Sequence, residues 1–87
     1  MSETRSGEAA GDGVVTLDCM QSGQRGIVAR LTGDPAVRRR LMELGLVPGT
    51  AVELIRRAPL GDPIELAVRG VHLSLRRTEA SLIHVSR

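Results

Sequence analysis

Strict alternation of apolar and polar side chains marks the second half of the chain. Ile64, Leu66 and Val68 alternate with Glu65, Ala67 and Arg69, the period-2 pattern of a half-buried strand. Gly70 interrupts, and Val71, Leu73 and Leu75 resume the alternation against His72, Ser74 and Arg76, which predicts a hairpin partner. Upstream, Val52-Glu53-Leu54 belongs to a strand predicted over 50–58. Another predicted over 25–31 would place Ile27, Ala29 and Leu31 on one face. A single helical turn at 78–81 and a last strand at 82–85, with Ile83 and Val85 on one side, complete the pattern.

Between the first two strands the period becomes helical. Val37, Leu41 and Leu44 fall on one face of a helix that Asp34 can cap and that Pro35 can start without wasting an N–H. Gly45 suits the left-handed residue that ends such a helix, and Pro48-Gly49 suits a type II turn into the next strand. Leu17 and Met20 are spaced as one helical turn, and Ser22-Gly23 marks a break after them. Pro59-Leu60-Gly61-Asp62-Pro63 reads as a turn-rich connection. Residues 1–13 show no apolar period and are expected to form a disordered tail, leaving 14–87 as the domain.

About five short strands with one inserted helix describe a mainly β fold, a small barrel. Strands this short leave exposed edges unless the sheet curls, and the glycine breaks give it places to bend. An open sheet with the helix packed on one face is the alternative.

Composition then narrows the core. The 87 residues suffice for one small domain, and with no Phe, Trp or Tyr the burial rests on Leu, Val and Ile. All 12 basic side chains are arginine. The tail to Gly13 holds three acids against one arginine; beyond it, eleven arginines against seven acids leave a formal +4. That is a mild excess, which permits an acidic partner without requiring one. Cys19 stands alone, excluding an intramolecular disulfide and fitting a reducing compartment. No secretory leader and no membrane-length apolar run is present, so a cytoplasmic location is expected.

Catalytic chemistry finds no footing. No nucleophile elbow, phosphate-binding glycine loop or paired carboxylates occur, and the expectation is a protein that is not an enzyme and uses no cofactor. Cys19, His72 and His84 are the soft or borderline metal ligands besides methionine, and their scattered spacing predicts no metal site.

In combination, several segments resemble a known family. Gly23 and Ile27, then Arg40-Leu41, Glu43-Leu44-Gly45-Leu46 and Pro48-Gly49, then Ala58-Pro59-Leu60-Gly61-Asp62-Pro63, Gly70, Leu73, Leu75-Arg76, Ala80, Ile83 and Val85 are similar to the FeoA-type accessory domains of bacterial ferrous iron transport. The resemblance covers residues 16–85. It implies an SH3-like barrel with a helical insertion, working with FeoB, a membrane iron permease bearing a GTP-binding domain. On that reading the membrane is reached only through the partner, and the chain modulates the permease rather than carrying iron. The barrel also resembles the C-terminal domain of metal-dependent repressors related to the diphtheria toxin repressor, which leaves a metal- or peptide-sensing domain as an alternative. A nucleic-acid-binding barrel is the other; the lack of aromatic stacking platforms counts against it.

The candidate partner-binding residues follow from exposure. Arg38 and Arg39 could dock on an acidic surface, with a solvated helix face as the simpler reading. Met42, Leu46 and Leu60 could form an exposed apolar patch, unless Leu46 and Leu60 are core. Arg40 sits beside the apolar stripe and is expected to brace the fold, its guanidinium reaching backbone carbonyls near the turn.

Overall fold

The structure, a computed structural model, describes residues 13–87. The expected tail over 1–13 falls, but for Gly13, outside the described residues. Six strands and two helices follow in order: β1 (Val14–Thr16), β2 (Arg25–Leu31), α1 (Pro35–Glu43), β3 (Ala51–Arg57), β4 (Ile64–Val68), β5 (Val71–Leu75), α2 (Arg77–Ala80) and β6 (Ile83–Ser86). A 3₁₀ turn at Leu17–Cys19 follows β1 and buries Leu17, with Met20 buried beside it.

All pairings are antiparallel and the strand order is β1-β6-β2-β3-β4-β5. The strands curl into an SH3-like barrel around one aliphatic core drawn from every strand except β1, together with α1, α2 and the 3₁₀ turn. Leu41, Leu46, Val52, Leu54, Ile64, Leu66, Leu75, Ile83 and Val85 are all inside it. Burial of each such side chain stabilises the fold by roughly 1.5–3 kcal/mol relative to exposure. Six strands form rather than five because β1, only three residues long, pairs Val14, Val15 and Thr16 with Ser86, Val85 and His84. Three residues are too few to show an alternating signature.

The β4 alternation places Ile64, Leu66 and Val68 inward. Along β5 only Leu75 is buried, Leu73 is half-buried and Val71 is exposed near the hairpin tip.

Strand β2 reverses its expected facing. Val28 is buried whereas Ile27 is 45% exposed. Its pairing with β6 shifts register between Val28 and Arg30, so Ala29 is the extra residue of a bulge, and Leu31 then turns back toward the core. A second bulge, between Leu54 and Arg56 of β3, acts in the same way. It turns Arg56 out toward Glu65 and leaves Arg57 facing in, where the guanidinium donates to the carbonyls of Asp18 and Met20 and ties β3 to the 3₁₀ turn.

Candidate functional site

Helix α1 begins at Pro35 with Asp34 in the capping position, but the Asp34 side chain makes no capping hydrogen bond. Its backbone carbonyl accepts from Arg38 at 2.9 Å instead. At the other end Gly45 N–H donates to Met42 O and Leu46 N–H to Leu41 O, and Gly45 has φ 106°. These two bonds form a Schellman motif, which satisfies the last carbonyls and folds the following residue back onto the helix. The residue folded back is Leu46, fully buried with Leu41. Leu46 therefore does not belong to a partner-binding patch: its position after the left-handed glycine commits it to the core. Leu44, expected in the helix's apolar stripe, ends the helix and is 41% exposed instead.

Beyond the motif, Thr50 N–H donates to Val47 O across Pro48-Gly49, and Gly49 has φ 93°, as a type II turn requires. The turn is sewn to β2 by Gly49 N–H on Val28 O and Val28 N–H on Thr50 O, both at 2.8 Å. The end of α1 is thus fixed against the barrel.

Helix α2 gathers two other segments around itself. Glu79 Oε1 accepts from Arg76 N–H at 3.0 Å, and its Oε2 accepts from the Arg40 guanidinium of α1. The Arg40 bond, aided by the Arg76 amide, holds the Glu79 carboxyl below the usual carboxylate range despite partial desolvation. Arg40 is structural, as the sequence suggests, but its partner is a carboxylate; Arg57 performs the carbonyl-bridging role expected of Arg40. Asp62 Oδ1 accepts from Arg77 N–H at 3.0 Å, fastening the β3–β4 loop to the start of α2.

That loop is braced at its base as well, with Ala58 N–H on Pro63 O at 3.0 Å and Gly61 N–H on Ala58 O at 2.7 Å. Leu60 rides on the tip of the inner turn, 94% exposed. A large apolar side chain held in water on a hydrogen-bonded turn gains nothing from the fold. Met42, in the last turn of α1, is 40% exposed. Met42, Leu44 and Leu60 are exposed apolar positions at this end of α1 and on the β3–β4 loop, as Val14, Ile27 and Val71 are elsewhere on the sheet; the signal for Leu44 was the helix end at Gly45, one residue on.

The two candidate arginines differ. Arg39 is exposed, whereas Arg38 is half-buried and its Nε is buried without a hydrogen-bond partner. On the outer face of the sheet Arg56 holds Glu65 through two bonds, at 3.0 and 3.3 Å, which lowers the Glu65 pKa and raises that of Arg56. Cys19 is exposed and its Sγ accepts from Thr16 Oγ1, while half-buried His84 lies 3.3 Å from Thr32 Oγ1 and His72 is exposed. Among the described residues no three His, Cys, Asp or Glu side chains are grouped to hold a metal ion, and no helix is long and apolar enough to cross a membrane.

Comparison with known proteins places this geometry in a family. Residues 15–87 match the model of the FeoA domain. The chain is 32% identical over 69 residues to a Fe(2+) transport protein A/Fe(2+) transporter FeoB fusion protein of Porphyromonas gingivalis, spanning 79% of this chain and 8% of that protein. It superimposes on the solution structure of FeoA from Chlorobium tepidum with a TM-score of 0.78 at 47% identity, covering 83% of this chain and 69% of that one. The crystal structure of Stenotrophomonas maltophilia FeoA complexed with zinc, a procaryotic SH3 domain protein, gives a TM-score of 0.73 at 29% identity over 83% of this chain and 89% of that one. These matches, over the barrel and its helical insertion, show that the chain belongs to the FeoA domain family.

Proposed function

We propose that this chain is an accessory module of bacterial ferrous iron uptake that docks on the cytosolic part of an FeoB-type permease and modulates it from the cytoplasm. The observation that carries this reading is the fusion relative, in which an FeoA-like segment and an FeoB transporter share one polypeptide. A tether raises the effective concentration of two modules for each other, and separate chains reach the same association where their interface is strong enough by itself. The Stenotrophomonas maltophilia FeoA has itself been put forward as a ferrous iron transport activating factor.

Leu60 supplies the apolar anchor of the docking surface, with Met42 and Leu44 as further apolar contacts and Arg39 as a peripheral charge. Arg38 contributes less, because its stem is already packed. Co-purification with the cytosolic region of the permease, with and without GTP, tests the reading. Retention of the wild-type chain and loss of retention for Leu60→Asp is the supporting result. No association at high micromolar concentration in either nucleotide state contradicts it.

A further inference from the structure

Arg69 is the one residue other than glycine, among those described, with a positive φ, at 54°. It occupies the first position of the two-residue turn between β4 and β5: Val68 pairs with Val71 across it, and Gly70 follows at φ 78°. Asn, Asp or Gly suit that position; an arginine is disfavoured because its Cβ crowds the following carbonyl. Such an outlier points toward function when the side chain is placed to meet a ligand.

The Arg69 guanidinium gives little back to the fold. Its Nη2 lies 3.4 Å from Thr50 Oγ1, the long limit of a hydrogen bond. It borders an open depression of about 200 Å³, whose small side chains Ala51 and Ala67, with Gly70, leave room for a chain to lie across the sheet. Arg25 borders the same depression from β2, where it pairs in register with Glu53. Its Nε is 3.7 Å from Glu53 Oε1 and its side chain is 81% exposed, so it is free to turn to another carboxylate.

We propose that this depression binds an extended acidic peptide segment of a partner protein, its carboxylates meeting Arg25 and Arg69 and its backbone crossing the alanine floor. Arg25 is in register with Glu53 and Ala67, so Arg69 stands two strand spacings across the sheet and two residues along it, roughly 12 Å between backbones, a span matched by carboxylates four residues apart on one face of an extended chain. Glu53 between them repels a continuous polyphosphate yet is tolerated by a peptide whose charges are spaced, which favours polypeptide over nucleic acid. The site shares no residue with the surface around Leu60 and stands without the permease.

The experiment is an NMR titration of the full chain with a short capped peptide of alternating Glu and Ala. A Gln-for-Glu analogue and a random oligonucleotide serve as controls. The expected result is saturable shifts at Arg25, Ala51, Glu53, Ala67 and Gly70, abolished in the Gln analogue. Arg69→Asn and Arg25→Gln should each weaken binding about tenfold. Because asparagine accepts the left-handed conformation, Arg69→Asn should keep or raise the Tm, separating binding from folding. Equal binding of the Gln peptide, shifts absent or mapped elsewhere, preference for the oligonucleotide, or a lowered Tm in Arg69→Asn would each overturn the proposal.

Discussion

Arg40 and Glu79, 39 positions apart in the chain, meet as a guanidinium and a carboxylate that lock α1 to α2. Glu79 also holds the Arg76 amide at the start of α2, and the neighbouring Arg77 amide holds Asp62 of the β3–β4 loop. One short helix thereby fixes both the segment carrying Met42 and the loop carrying Leu60.

Removing either member of the pair should loosen this arrangement without unfolding the barrel. Arg40→Ala and Glu79→Gln are each expected to lower stability by about 1 kcal/mol, since Arg40 is half exposed and its ion pair is screened by solvent. A double-mutant cycle in urea checks it, with a coupling energy above zero and no more than about 1 kcal/mol as the expected outcome.

Stability should fall in acid through the same carboxylate. Because Glu79 is held below its ordinary pKa in the folded chain, its contribution is fully present above the unfolded carboxylate pKa and disappears as pH drops through the lowered folded value. Glu65, lowered by Arg56, acts in the same direction. Thermal melts from neutral pH down through the carboxylate range should show a falling Tm, and Glu79→Gln should flatten part of that fall.

Leu46 and Leu60 should respond very differently to truncation. Leu46→Ala, which empties a fully buried position against Leu41, is expected to cost about 2–5 kcal/mol. Leu60→Ala should change stability by no more than about 0.5 kcal/mol. Equilibrium denaturation of the two variants distinguishes a core side chain from a presented one.

Gly26 is a test of how tightly β2 meets β6. A Cβ placed there would overlap Val85 Cγ1 and come within 2.8 Å of the Ser86 carbonyl oxygen. Gly26→Ala is therefore expected to destabilise by about 1–3 kcal/mol through forced separation of the strands, measurable as a lowered urea midpoint.

Where alternation ran unbroken, as from Ile64 to Val68, sequence and structure agree residue by residue. The proline start and glycine stop of α1 were equally readable, because each residue type suits one backbone position. Bulges at Ala29 and between Leu54 and Arg56 hid the facing of β2 and the inward turn of Arg57, since an extra residue inverts the alternation and leaves no compositional mark. Leu46 was ambiguous because its burial depends on the chain reversing after Gly45, a three-dimensional consequence of the helix end. Leu60 stood in a recognisable turn, but its near-complete exposure was decided by the bonds that hold the loop base and Asp62 in place.

The most direct test of docking on the permease is the affinity of the wild-type and Leu60→Asp chains for the purified cytosolic region of the FeoB-type permease, by calorimetry or interferometry. Saturable binding by the wild-type chain and at least about tenfold weaker binding by the variant at unchanged Tm is the expected result. Equal binding by both chains would contradict the docking surface, and no binding by either would contradict the partner.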